Sequence, residues 1–465
     1  MTAELVSYAA YLPTYRLGPE DIGGRVGGAD RVVASFDEDS TTIAVEAASA
    51  ALAEQYVPST MYFASSSHAY ADKTNAVAVH AALGLPSDVF CADFGGTGKS
   101  SMAAIRCAAE SGGMAVMSDV RTGRPGSSDE RSGGDGGAAF VFAETTEQGA
   151  GIAALLSTAS STLEFLDRWR DPASIGGNQW EERYGQEEYT PLIAEVQRRA
   201  LAAAGVDAPD HVVLTSPNSG IRKRLTALAS GSVSTVTSTL GFSGAADVGI
   251  ALAEVLDSAA PGETVLVLSA VDGCDALVLR VLPGIVNHRA RRPVAEQRSG
   301  GHRISYLTYL SWRGLVDREP PRRPEPDRPA APPSGRATAW KFGFVGSGCD
   351  RCGFVHLPPA RVCRGCGSVD SMHPESRRGA RGTVATSTID RLAFSPSPPV
   401  VEAVVDFDGG GRYSLEVADG AASSVTVGSR VELSFRRLFT AGGVHNYFWK
   451  ARPVIEDRSS VEESV

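Results

Sequence analysis

Short apolar runs alternate with alanine-rich amphipathic stretches from Met1 to about Pro283. Small and apolar residues recur at helical spacing, with no interior proline, in STTIAVEAASAALAEQ (residues 40–55), TNAVAVHAALGL (74–85) and GKSSMAAIRCAAESG (98–112). MYFASSS, VFCADFG, MAVMSDV, AAFVFAE, HVVLTSP and TVLVLSAV read as strands, several apolar enough to be buried on both faces. This alternation predicts an α/β layered fold. A later helix, AADVGIALAEVLDSA, is again followed by strands, so the second half echoes the first and points to a duplication.

The pattern changes over residues 317–339, where REPPRRPEPDRPAAPPSGRA has almost nothing to bury and predicts an extended, semi-rigid connector. Beyond the cysteine pairs, short alternating strands (TVATSTIDRLAF, VVEAVVDF, GRYSLEV, RVELSFRRLF, HNYFWKARP) are joined by Gly and Asp turns. They suit a small five-stranded barrel of the oligonucleotide/oligosaccharide-binding (OB) type. The expected organisation is an α/β domain over residues 1–316, the connector, a cysteine-bearing ribbon at 340–371, the OB barrel at 372–455 and a solvated tail at 456–465.

A chain of 465 residues exceeds what one core usually serves. The net charge of -10 argues against a nucleic-acid-binding surface. No apolar run approaches the roughly 20 residues that span a bilayer, and the N-terminal text has neither a basic leader nor an apolar signal core. A cytoplasmic, non-membrane protein is therefore expected. Four of the seven cysteines form two CxxC knuckles, Cys349/Cys352 and Cys363/Cys366, separated by ten residues. In a reducing compartment this pattern means a metal, and a closed all-cysteine set predicts structural zinc, with His356 in the intervening loop left out of the ligand set. Cys107 and Cys274 read as small core residues.

Several segments resemble hydroxymethylglutaryl-CoA synthase of the thiolase superfamily in order and spacing. They are EDSTTIAVEAA (38–48), SSHAYADKT (66–74), ADFGGTGKSS (92–101), LTSPNSG (214–220) and GFSGAADVGIALAEVLDSAAPGETVLVLSAVDG (241–273). From Arg336 onward the chain is similar to the zinc-ribbon/OB-fold proteins that partner thiolases, on the strength of PPARVCRGCGS and YFWKARP. The resemblance implies a five-layer αβαβα duplication, a coenzyme A or acyl-carrier thioester as substrate, a homodimer, and another thiolase-family enzyme as a possible partner. The implied chemistry is carbon-carbon bond formation through a cysteine acyl-enzyme.

The sequence departs from that family where the chemistry lies. Asp93 stands where the family keeps its nucleophilic cysteine, Ser66 where it has a glutamate, Thr215 where it has a histidine and Leu240 where it has an asparagine. An S-acyl enzyme is therefore not expected. Asp93 reads either as an acid/base or as a residue that caps a helix and holds the strand-to-helix elbow. His68 and Tyr70 lie in the loop that would supply a missing acid or base. Gly95, Gly96 and Thr97 read as a tight turn with an oxyanion-type pocket, and Asn218, Ser243 and Gly244 as substrate contacts. Arg222, Lys223 and Arg224, at a predicted helix start, read as facing phosphates or as a solvated cluster. GTGKS is no phosphate loop, because the glycine that pattern requires is Asp93. Cys91, on the same strand face as Asp93, reads as a core residue or a relocated nucleophile. Three readings stand: a thioester-handling enzyme without a cysteine intermediate, a catalytically silent scaffold or channelling subunit, and an orthodox condensing enzyme using Cys91.

Overall fold

Among the described residues ten strands assemble into one mixed sheet. In chain order its strands are β1 (Glu4–Tyr11), β2 (Thr60–Ser65), β3 (Phe90–Gly95), β4 (Met114–Asp119), β5 (Gly136–Ala143), β6 (Ala153–Thr162), β7 (His211–Thr215), β8 (Ser232–Ser234), β9 (Thr264–Ser269) and β10 (Gly273–Val281). The computed structural model describes residues 3–23, 30–52, 56–144, 151–172, 174–223, 232–234, 240–319, 323–420 and 424–454. Arg224 and the tail 456–465 lie outside these described residues. Two compact units result: Met1–Ala34, Asp39–Val77 and Pro86–Tyr309 form the first, and Ser35–Glu38, Ala78–Leu85 and Leu310–Val465 the second.

The sheet of the first unit runs β8-β7-β9-β10-β6-β1-β5-β4-β2-β3. Reading inward from either edge gives the same pattern. β3, β2 and β4 are parallel, then β5 and β1 antiparallel; β8, β7 and β9 are parallel, then β10 and β6 antiparallel. The halves meet through β1 and β6 at Leu5 and Ala153. This repeated strand pattern agrees with the echo in the sequence.

Helix α1 (Ser40–Ala51) starts at Asp39, whose carboxylate takes the Thr42 amide at 3.0 Å while the Thr42 hydroxyl takes the Asp39 amide at 2.9 Å. This reciprocal cap defines the start of the helix. Helices α2 (Ala76–Leu83) and α3 (Lys99–Ser111) follow β2 and β3. α4 (Glu182–Ala204) and the short α5 (Ser219–Lys223) flank β7. α6 (Asp247–Leu256) packs on strands of both halves, β1 and β5 on one side and β7 and β9 on the other. Apart from Glu254 its residues are buried, as expected of a helix covered on both sides.

The described residues of the second unit form two sheets. β11 (Val345–Cys349) pairs with β12 (Val355–His356) and β13 (Met372–Ser376). His356 is thus on a strand rather than in a loop, and Met372–Ser376, expected in the barrel, joins the ribbon sheet instead, because both pair with β11. The other sheet is antiparallel, with β14 (Gly382–Asp390), β15 (Val400–Phe407), β16 (Arg412–Glu416), β17 (Arg430–Ala441) and β18 (Val444–Pro453) in the order β16-β15-β14-β17-β18. Within the expected connector lies a helix, α7 (Ala331–Arg336), with proline in its first turn, where no amide is lost. α8 (Thr338–Gly343) sets Trp340 among Phe344, Tyr413 and Phe448, at ring separations of 4.9, 5.0 and 5.3 Å. Trp449 donates its indole N–H to the Phe342 carbonyl at 2.7 Å, so the buried ring keeps its hydrogen bond.

Candidate functional site

Parallel strands end together, and in such sheets the chemistry collects at their carboxyl ends. β2 ends at Ser65, and Ser65, Ser66 and Ser67 wrap around the carboxylate of Asp119 at the end of β4. Asp119 accepts from the Ser65 and Ser67 hydroxyls at 2.8 Å, the Ser66 amide at 2.8 Å, the Ser66 hydroxyl at 2.7 Å and the Ala245 amide at 2.6 Å. Five donors fix this fully buried carboxylate and with it the Ser66 turn. Gly244 (φ 59°) sits against it so closely that a Cβ there would lie 2.0 Å from Asp119 Oδ2. The Ser66 hydroxyl also accepts from Arg121 Nη1 at 3.1 Å, and the Ser66 carbonyl from Arg170 Nη2 at 2.6 Å.

Asp93 lies on edge strand β3, paired in register with Phe63. Its Oδ2 takes the Asn75 amide at 2.6 Å and the Asn75 side-chain amide at 3.0 Å, and its Oδ1 takes the Ala76 amide at 2.7 Å. The capping expectation is met with a change of helix: Asp93 holds the start of α2, not of α3, which follows it in the chain. Asn75 also closes the preceding loop by accepting from the Tyr70 amide and donating to the Tyr70 carbonyl, at 3.0 and 2.9 Å. His68 stands edge-on to Phe63, ring centroids 5.0 Å apart, and among the described residues its buried Nε2 has no hydrogen-bond partner. A Cβ on Gly95 would lie 3.7 Å from the His68 ring, so this loop and the end of β3 are neighbours.

Gly95, Gly96 and Thr97 are exposed. The turn is pinned by Thr97 Oγ1 donating to Asp272 at 2.9 Å and by Lys99 pairing with Asp275 at 2.6 Å. Thr215 ends β7 with its carbonyl accepting from the Ala270 amide at 2.9 Å. Asn218 is spent on local structure: its Oδ1 takes the Gly220 and Ile221 amides at 3.0 and 3.2 Å, and its Nδ2 donates to the Glu182 carbonyl at 2.9 Å. Arg222 and Lys223 lie in the last turn of α5, not at a helix start, which suits the helix dipole. Arg222 turns inward over the Phe242 ring at 5.7 Å, while Lys223 is exposed. Ser243 donates its amide to Asp247 at 3.0 Å. Leu240 is buried.

None of the three thiols of the first unit is activated. Burial, then Asp93, raises Cys91; burial, then Glu110, raises Cys107; burial, then Asp275, pushes Cys274 up to about 12. A reactive thiol needs the opposite shift. Cys91 and Cys107 are only half-buried, so the core reading holds for Cys274 alone.

In the second unit the four knuckle sulfurs converge. Cys349 and Cys366 are 3.7 Å apart, Cys352 and Cys363 are 3.5 Å apart, and all four ligand atoms lie within 4.8 Å of one another. A tetrahedron with metal-sulfur bonds near 2.3 Å has edges of about 3.8 Å, so the set fits a metal ion. Each knuckle turns through a left-handed glycine, Gly353 (φ 71°) or Gly367 (φ 74°), whose amide donates back to Cys349 or Cys363 at 2.9 Å. His356 is buried beside Phe354, outside the cluster.

The sequence alone did not single out Asn75, Asp119 or Asp247. Asp119 closes the apolar run MAVMSDV, and a carboxylate at a strand's end is the one signal that could have found it.

Comparison with known proteins decides the family. Hydroxymethylglutaryl-CoA synthase of Methanocella arvoryzae is 32% identical over 353 residues, 68% of this chain and 99% of that protein. That of Archaeoglobus fulgidus is 30% identical over 356 residues, 67% of this chain and 98% of that protein. The chain belongs to the hydroxymethylglutaryl-CoA synthase family. The synthase-like fold is shared by the HMG synthase of the curacin biosynthetic pathway in complex with holo donor-ACP, at TM-score 0.57 and 14% identity, covering 67% of this chain and 88% of that one. Outside the synthase-like region, residues 375–436 match the C-terminal OB-fold domain of ChsH2. Fusion of a synthase-like domain to such a module is thus established. Among the described residues no helix is long and apolar enough to cross a membrane.

Proposed function

We propose that the first unit handles an acyl thioester of coenzyme A or of an acyl-carrier protein at its strand ends, forming or breaking a carbon-carbon bond or transferring the acyl group, without a cysteine acyl-enzyme. The observation that carries this reading is Asp93, a carboxylate where the resemblance puts the family's nucleophile, together with the raised pKa values of all three thiols of the first unit. Asp93, His68 and Ser66 are the groups for proton transfer, with Tyr70 and Thr215 beside them. The exposed Gly95–Gly96–Thr97 turn offers amides to a thioester carbonyl, and the buried Gly244, Ser243 and Asn218 hold the backbone behind it. Relatives named as hydroxymethylglutaryl-CoA synthases, and one solved with a donor acyl-carrier protein, support the thioester class. Lys223 is an exposed cation that could face the phosphates of such a carrier.

Zinc held by Cys349, Cys352, Cys363 and Cys366 would fix the ribbon and take no part in the reaction, since the all-sulfur set leaves no open position. The bridge from Val417 to Ala451, which joins the chain beyond β16 to β18, supports a closed OB-type barrel. A homodimer through β3 is supported by that strand's place at the sheet edge and by Phe90, 61% exposed.

The test is intact-mass measurement after incubation with acetoacetyl-CoA. An unmodified chain is expected, and an acyl adduct mapping to Cys91 would overturn the reading. A second reading, a silent scaffold for an active thiolase, is favoured by the three hydrogen bonds that occupy Asp93. Asp93→Asn turnover assays separate the two: loss of turnover supports the acid/base role, and no turnover in the wild type with any acyl-CoA supports the scaffold.

A further inference from the structure

The short segment Ser35–Glu38 is counted with the second unit, yet the chain on either side of it runs into the residues around Asp119. Arg436 and Lys450, buried on β17 and β18, meet Glu38 at 2.6 Å and Asp37 at 2.8 Å. The Phe36 carbonyl accepts from Arg437 Nη2 at 2.9 Å, and the Asp37 carbonyl from the Arg437 amide at 2.9 Å. Phe36, Asp37 and Glu38 are thus all fixed by one strand pair of the OB module.

On the N-terminal side, the Ala34 amide donates to Asp135 Oδ2 at 2.7 Å, and Asp135 Oδ1 takes the Arg121 amide at 2.7 Å. Arg121 is the residue whose guanidinium reaches the Ser66 hydroxyl. On the C-terminal side, Ser40 opens α1, and its hydroxyl donates to the Ser67 carbonyl at 2.7 Å. The Ser40 carbonyl accepts from the Ser118 hydroxyl at 2.5 Å, and Ser118 leads into Asp119, the carboxylate that organises Ser65–Ser67. Ala34, Ser40, Ser118, Asp119 and Asp135 are all buried. Close-packed interiors transmit displacement, and hydrogen bonds in such a network support one another. A shift of Asp37 and Glu38 therefore reaches Ala34 and Ser40, a few residues away along the chain, and through them the Ser65–Ser67 turn by two routes.

We propose that the OB module sets the geometry of the Ser65–Ser67 turn, with Arg436 and Lys450 as positioning residues that act through Ser35–Glu38. The fused module is then part of the framework of the strand-end site. Its bearing on chemistry there rests on the acyl-thioester reading of the first unit; the coupling itself does not.

The experiment is amide hydrogen exchange of the full chain, read by mass spectrometry with no thioester present. In Arg436→Met, residues 35–38 are expected to exchange faster, and with them the amides of Ser66, Ser67, Val120 and Arg121, all of which donate within this network. The acceleration expected at those four is about 2–30-fold, the range that coupling between distant positions spans. Residues 211–215 of β7, in the other half of the sheet, are expected to keep the wild-type rate. Glu416→Gln, which weakens one partner of Lys450 and leaves Asp37 on it, is expected to act in the same direction and carries the test if Arg436→Met does not fold. Faster exchange at 35–38 with unchanged rates at 66–67 and 120–121 overturns the proposal. Equal acceleration of β7 also overturns it, because the loosening is then general, and so does an unchanged rate at 35–38 in both variants. None of these outcomes touches the acyl-thioester reading, and a failure of that reading leaves the exchange result standing.

Discussion

Asp93 occupies a position where the same carboxylate can serve chemistry or architecture, and its hydrogen bonds give the architectural role a measurable size. Three donors from the start of α2 end on it, two of them backbone amides that a helix cannot satisfy internally. Asp93→Ala is therefore expected to destabilise the first unit by about 1–3 kcal/mol, read as a lower urea midpoint. An unchanged midpoint would mean that water replaces the carboxylate at no cost. Asp247 predicts a pH dependence. Burial pushes its carboxyl up to about 7, against the opposing effects of Arg222, the Ser243 hydrogen bonds and Arg121. The folded chain thus keeps a proton that the unfolded chain releases above about pH 4. The stability from this group is fully present below that pH and is lost as pH rises through about 7, roughly 4 kcal/mol in all. Asp247→Asn should flatten the slope of unfolding free energy across this window, and an unaltered slope would show that the carboxyl titrates as it does in the unfolded chain.

Elements whose determinants are local were legible in the sequence, and those tied by distant partners were not. The two CxxC knuckles and the start of α1 are set by residues within a few positions of one another, and both match expectation. The Ser65–Ser67 turn could not be foreseen, because its partner Asp119 lies more than 50 residues away and Ala245 another 126 beyond that. A basic run after Ser-Pro-Asn resembles an opening turn, which is why the sequence places Arg222 at a helix start. The helix instead begins at Ser219, capped by Asn218, and ends on the cations. In residues 317–339 the proline count hid α7, since proline breaks a helix only beyond its first turn. For the ribbon, the converging thiols predict that Cys352→Ser will lose zinc measured by atomic absorption and expose β11–β13 to hydrogen exchange. Full zinc content in that variant would place the metal elsewhere.

At the scale of the molecule, the repeated strand pattern explains why the α/β architecture could be read from alternation alone, while the chain's division into units could not. Ser35–Glu38 is a short polar connection in the sequence, yet it is counted with the second unit. The reason is a buried lattice of charge. Arg436 on β17 is fully buried and meets Glu38 at 2.6 Å and Asp419 at 2.5 Å. Lys450 on β18, equally hidden, meets Asp37 and Glu416, both at 2.8 Å. Burial alone would raise the Asp37 carboxyl, but Lys450 and Arg436 outweigh it and hold the group below its ordinary range. Such a lattice is costly to break from one side, because the partners stay buried and unpaired; removing a single member typically costs about 3–5 kcal/mol. Arg436→Met is therefore expected to lower the stability of the second unit by that amount and to speed amide exchange of residues 35–38 together with β17 and β18. Replacing Arg436, Glu38 and Asp419 together by apolar residues of similar volume should recover much of the loss, since no orphan charge remains. If the single substitution leaves exchange at residues 35–38 unchanged, those residues are held by their backbone hydrogen bonds to Arg437, at 2.9 Å, and the lattice contributes nothing to that attachment.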